Sequence, residues 1–161
     1  VNVYKTAAYT IERPLHLGAA VAGADETTIT ALRGYGRDIG VAYQLRDDLL
    51  GVFGDPEVTG KPAGDDLREG KRTVLYSLAL RAADQTDPVA AEKLRSGIGV
   101  VQDPKDIAEL TAIIEGTGAV EDVEKRIAHL TETGLSSLNH AQLDHNAAEA
   151  LKTMAVSYTH L

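Results

Sequence analysis

The sequence predicts an all-α chain, and three observations carry that expectation. With a single Phe and no Trp among 161 residues, the core has to be built from Ala, Leu, Val and Ile, a composition that favours helices. Apolar residues recur at intervals near 3.6 over most of the chain, the spacing of one helix face. Two Asp-Pro pairs, Asp87-Pro88 and Asp103-Pro104, place a capping carboxylate directly before a proline at the first helical position, a strong helix start. Little or no sheet is expected.

Taken in order, residues 3–22 form an apolar helical pattern that Pro14 must kink or split, because proline cannot donate to the preceding turn. The chain opens on Val1 inside this pattern, which reads as a fragment. Asp25 caps the next run, where Ile29, Leu32, Ile39, Tyr43 and Leu50 mark one side of a long helix ending near Phe53-Gly54. From Gly54 to Gly70 the polar stretch holds Pro56, Gly60, Pro62, Gly64 and Gly70, which predicts a loop without regular structure. It exceeds the usual connection of about 4–6 residues, and such loops tend to be functional lids. Thr73 to Ala83 reads as a helix through Leu75, Leu78, Ala79 and Ala82, although Val74-Leu75-Tyr76 alone could be a strand. Gly97 and Gly116 are expected stops for the helices begun by the Asp-Pro pairs. Val120, Val123, Ile127, Leu130 and Leu138 mark another helix, and Ala147, Leu151, Met154 and Ala155 a last one. No linker or repeat interrupts them, so one domain is expected, long enough to bury roughly two-thirds of its unfolded surface.

Composition narrows the function. Cysteine is absent, which excludes disulfides and thiolate metal sites and points to a reducing, cytoplasmic location. No stretch approaches the roughly 20 apolar residues of a membrane span, and no signal peptide opens the chain. A net charge of −8 with scattered acids argues against nucleic acid as a partner.

Gln44, Asp47, Asp48 and Gly51 fall on one helical face by their spacing. Two adjacent anions repel, and a hard cation such as magnesium, held partly by substrate phosphates, relieves them. Paired acids are common on solvated helix faces, but here a loop with Lys61, Arg68, Lys71 and Arg72 follows in an otherwise acidic chain. Cations at a loop mouth can clamp diphosphate oxygens. Gly54–Lys61 and Gly64–Thr73 look like phosphate-binding P-loops, yet the glycine spacing is one residue too long and neither lysine precedes Ser or Thr directly. His140, His145 and Asp144 do not stack on one helical face and read as surface residues.

Together these residues resemble the polyprenyl synthetase family, the trans-isoprenyl diphosphate synthases. Tyr43-Gln44-Leu45-Arg46-Asp47-Asp48-Leu49-Leu50 is similar to the family's second aspartate-rich motif, and residues 60–67 with Gly70-Lys71-Arg72-Thr73 resemble the Gly-Lys, Gly-x-Asp-Leu and Gly-Lys-x-Thr signature after it. Lys5-Thr6 looks like the Lys-Thr pair that contacts the allylic diphosphate, and residues 5–14 have an actinobacterial flavour. The likeness is close over residues 5–73. Gly51 stands where the usual motif has a third aspartate, which implies weaker binding of one magnesium.

The resemblance implies an isoprenoid (terpenoid) synthase-type helical bundle of which residues 1–161 are the C-terminal half, the first aspartate-rich motif lying upstream. It implies Mg2+ as cofactor, with Asp47 and Asp48 as metal ligands and Asp55 and Asp66 around them. Lys5, Thr6, Lys61 and Lys71 would serve catalysis and, with Gln44, bind substrate. The implied reaction joins an allylic isoprenyl diphosphate, such as a precursor of geranylgeranyl diphosphate, to isopentenyl diphosphate and releases pyrophosphate. A homodimer is implied for the full-length protein, and inactivity for the fragment alone. A noncatalytic regulatory subunit of a heteromeric prenyl synthase is the alternative. Ser157–Leu161 does not resemble the family's basic ending and reads as a truncation or assembly scar.

Overall fold

The computed structural model describes residues 8–159, which form helices and no strand. A π-helical turn, Ala8–Glu12, runs into α1, Arg13–Val21. Pro14 sits in the first turn of α1 and cannot donate to Thr10, so the expected break takes the form of a wider turn before the proline. The Arg13 guanidinium lies 4.3 Å above the Tyr9 ring. The long helix α2 spans Glu26–Phe53, and Asp25 caps it by accepting from Thr28 N at 2.8 Å, as its sequence position predicts.

The stretch from Gly54 to Gly70 differs from the expectation. It holds two single-turn helices, α3 at Pro56–Thr59 and α4 at Asp65–Arg68. Asp55 caps α3, Pro56 opens it, and Gly60 ends it in the left-handed conformation. Start and stop signals packed this closely permit one turn rather than none. Beyond them come α5 (Val74–Thr86), α6 (Pro88–Gly97), α7 (Pro104–Gly116) and α8 (Ala119–Ser137). A 3-10 turn at Leu138–His140 and α9 (His145–Thr159) complete the chain. The helix reading of 73–83 holds because the Thr73 side chain accepts from Tyr76 N. Asp87 accepts from Val89 N and Ala90 N, both at 3.0 Å, and Asp103 from Lys105 N at 2.8 Å.

The chain divides into two compact units, 1–46 with 125–161, and 47–124. In the first, Ile11, Ala19, Leu32, Tyr35, Ile39, Leu138, Leu151 and Ala155 make the core. Buried Tyr35 donates its hydroxyl to Leu151 O at 2.6 Å, which satisfies the one polar atom that burying a tyrosine brings inside. The Tyr158 ring meets Tyr43 edge-on at 5.4 Å. Thr159 is fully buried, with its carbonyl accepting from Arg46 Nε at 2.9 Å. Ser157, Tyr158 and Thr159 thus finish α9, while residues 160–161 lie outside the described residues. His140, Asp144 and His145 are exposed, as the sequence reading places them, and Asp144 caps α9.

In the second unit, the buried residues Leu75, Ala79 and Ala83 of α5, Ala91 and Leu94 of α6, and Ile107, Leu110 and Ile114 of α7 supply the core. The small alanines let neighbouring backbones approach. Ion pairs of Arg95 with Asp84 and Lys93 with Glu109 decorate this unit, but exposed pairs contribute little.

Two measurements check these assignments. Asp87→Ala removes two cap bonds and is expected to cost about 1 kcal/mol in urea unfolding, whereas Asp87→Asn keeps most of it. Burial pushes the Tyr35 phenol up from 10.0 to about 12. The unfolded chain releases this proton first, so stability present below about pH 10 is lost as pH rises to about 12. Tyr35→Phe should therefore lower stability by about 1 kcal/mol at neutral pH and flatten the alkaline decline.

Candidate functional site

The C-terminal end of α2 and the segment leading to α5 gather most of the polar residues singled out from the sequence, all within the second unit. Adjacent helix positions stand about 100° apart, and Asp47 and Asp48 differ accordingly. Asp47 is exposed, whereas Asp48 is 5% exposed. One Asp48 oxygen faces Val74 N at 3.4 Å, a long contact that sets a negative charge against the N-terminal end of α5. Asp48 thus lies against the start of α5, while Asp47 is on the exposed side of the helix. Gln44, half-buried, lies one turn earlier on the same helix.

The loop is tied down at several points. Gly64 N donates to Val52 O at 3.1 Å, and Gly99 N to Leu67 O at 2.8 Å, while the Leu67 side chain is 1% exposed. Gly64 and Gly70 have φ of 73° and 71°, and the Gly70 and Gly99 backbones lie so close that a side-chain carbon on Gly70 would sit 3.0 Å from Gly99 Cα. Glycine is required there by both conformation and space. Arg68 donates to Ala63 O at 2.8 Å and braces the loop from within. Thr59 Oγ1 does similar work by donating toward Asp55 O and Lys61 O at 3.0 and 3.1 Å.

At the centre of this segment the Lys71 ammonium donates to Asp66 Oδ1 at 2.6 Å and to Glu69 Oε2 at 2.9 Å. The bond to Asp66, then that to Glu69, raises the lysine above its ordinary range and keeps it cationic. Glu69 in turn is held below the usual carboxylate range, first by its bond from Lys71. Asp66 is only 7% exposed, and its carboxylate lies against Gly51. A carbon placed on Gly51 would stand 2.3 Å from Asp66 Cγ and Oδ2.

Asp66 and Lys71, both expected near the site, are thus brought into direct contact. Lys61 is exposed on the same loop, close enough for its charge to act on Glu69. Asp55 accepts from Glu57 N at 2.9 Å as the cap of α3. Lys5 and Thr6 lie outside the described residues. Glu69 was not anticipated, although an acid two residues before Lys71 was the available signal; nor was the cap by Thr73, for which the threonine preceding an apolar run was the cue.

Among the described residues no three His, Cys, Asp or Glu side chains form a ready metal cage. Exposed Asp47 and the lysines of the loop that follows α2 instead fit a cation that takes one or two protein oxygens and completes its shell with water and phosphate, as magnesium does.

Residues 1–116 match the polyprenyl synthetase family. The chain is 33% identical over 148 residues to the geranylfarnesyl diphosphate synthase of Aeropyrum pernix, covering 92% of this chain and 45% of that protein. It is 38% identical over 102 residues to the geranylgeranyl diphosphate synthase of Mycobacterium tuberculosis, covering 63% of this chain and 29% of that one. The structure superposes with a TM-score of 0.95 on the geranylgeranyl pyrophosphate synthase of Corynebacterium glutamicum complexed with isoprenyl diphosphate and magnesium, at 57% identity over 98% of this chain and 44% of that one. The chain therefore spans less than half the length of these relatives. With its all-helical architecture and this match, the chain belongs to the polyprenyl synthetase family.

Proposed function

We propose that these residues supply one half of the diphosphate grip of a prenyltransferase that extends an allylic isoprenyl diphosphate with isopentenyl diphosphate. The reading is supported by an exposed carboxylate, Asp47, on the helix that leads into a loop where Asp66 and Glu69 hold Lys71 cationic. In the reaction the allylic carbon–oxygen bond breaks, a carbon–carbon bond forms to the double bond of isopentenyl diphosphate, one proton is lost, and pyrophosphate departs.

Asp47 would present oxygen to a magnesium ion, and Gln44, one turn earlier, would contribute to binding the substrate. Bound there, the ion supplies neutralisation of the charge that builds on the leaving group. Lys61 and Lys71 donate hydrogen bonds to phosphate oxygens, and Lys5 and Thr6 do the same from upstream. Asp48, buried against the start of α5, contributes by holding the lysine loop in place rather than by taking a large share of the metal. The loop is bound to α2 through Gly64, which would lower the entropic cost of ordering its cations on binding. The partner ligands of isopentenyl diphosphate belong to the other half of the enzyme, so the 161 residues alone do not turn over substrate. The whole protein acts as a homodimer in the cytoplasm.

Two experiments test this. In a chimera that places this chain in the corresponding half of the Corynebacterium glutamicum enzyme, Asp47→Asn should lower turnover by about a hundredfold or more. Asp144→Asn, which keeps its cap on α9, should leave turnover unchanged; equal activity of the two variants rejects the site. By calorimetry, the chain alone should bind magnesium weakly and magnesium pyrophosphate more tightly by roughly tenfold, about 1.4 kcal/mol. Tight binding of magnesium without pyrophosphate contradicts a shared ligand shell.

A further inference from the structure

The turn between α6 and α7 meets the loop immediately before Lys71. Residues 97–100 form a tight reversal in which Val100 N donates to Gly97 O at 2.9 Å, Ile98 has φ −59° and ψ 127°, and Gly99 has φ 74°. These angles match a type II turn, whose third residue takes a positive φ that favours glycine. The turn's own bond leaves the Gly99 N–H unused, and it donates to Leu67 O in α4 at 2.8 Å. The two backbones also touch. A carbon on Gly99 would stand 3.1 Å from Gly70 Cα, and one on Gly70 would stand 3.0 Å from Gly99 Cα. Both neighbours are main chain, so neither can swing aside as the end of a side chain does. Gly70 follows α4 with φ 71°, and the next amide, Lys71 N, closes back on Asp66 O at 2.9 Å. The base of the turn is itself buried, with Leu94 at 0% and Ile98 at 9% exposed.

We propose that this turn, with Gly99 at its tip, is the positioning element for Lys71. The bond to Leu67 O and the contact with Gly70 hold the end of α4 from outside, and the direction in which Lys71 leaves that end follows from them. Asp66 and Glu69 hold the ammonium; the turn holds the backbone from which it extends. Gly99 has no side chain to offer a ligand and acts through Lys71. The consequence for phosphate binding rests on the diphosphate reading above; the hold of the turn on the loop backbone does not.

The test uses the 161-residue chain, with Gly118→Ala as the reference variant. Gly118 belongs to the same unit and has φ 77°, but a carbon there meets nothing nearer than Glu121 Oε2 at 4.0 Å. Alanine at 118 therefore brings similar backbone strain without the contact. In the first arm, hydrogen exchange at the Lys71 amide should accelerate by about tenfold or more in Gly99→Ala and stay near the parent rate in Gly118→Ala. No acceleration in Gly99→Ala, or an equal one in both variants, overturns the proposal. In the second arm, Gly99→Ala should weaken binding of magnesium pyrophosphate several-fold in the parent and have no further effect in a Lys71→Ala background. A full effect in that background overturns action through Lys71. If the parent binds no magnesium pyrophosphate, the diphosphate reading falls, and the first arm alone decides the role of the turn. Should Gly99→Ala not fold, exchange in the parent decides: the Gly99 and Lys71 amides should share one opening free energy across a urea series, and unequal values overturn the proposal.

Discussion

A carboxylate resting where a helix has no side chain determines how the polar loop meets α2. With Asp66 seated on Gly51 and bonded to Lys71, the chain from Gly64 onward has few alternatives. The buried Leu67, the backbone contact of Gly70 with Gly99 and the bond from Gly99 to Leu67 all follow from that seating or reinforce it. A loop this rich in glycine would otherwise lose much conformational entropy on ordering. Here, buried anchors and a charge-assisted bond offset that loss before any ligand arrives.

The acidic residues divide by function. Asp25, Asp55, Asp87, Asp103 and Asp144 each accept backbone N–H groups at a helix start, so a good part of the negative charge serves the orphan donors of helix termini. Asp48 belongs with them in part, since it faces the N-terminal end of α5. Asp47, by contrast, is exposed on the last part of α2. In a chain of net charge −8, with five acids and four bases over residues 54–73, the individual positions of Lys61, Lys71 and Arg72 matter more than the total, because Coulomb interactions near a surface are short-ranged at physiological salt.

Solved relatives extend this reading. The Corynebacterium glutamicum synthase superposes on nearly the whole of this chain and was captured with isoprenyl diphosphate and magnesium. That likeness runs over 98% of this chain at 57% identity.

Local signals were legible because their physics is local. Caps at Asp25, Asp87 and Asp103, the stops at Gly97 and Gly116, and the disruption at Pro14 depend on neighbours within one turn, and each stands where the sequence places it. The single-turn helices α3 and α4 were not legible, since one turn has no stability of its own and forms only when caps and packing hold it. Family membership and the all-helical class were also readable from residues alone. The different burial of Asp47 and Asp48 was not, because Asp48 lies against the start of α5, a contact made only by folding. Nor was the contact of the Asp66 carboxylate with Gly51, because a missing side chain carries no pattern and only folding brings another residue beside it.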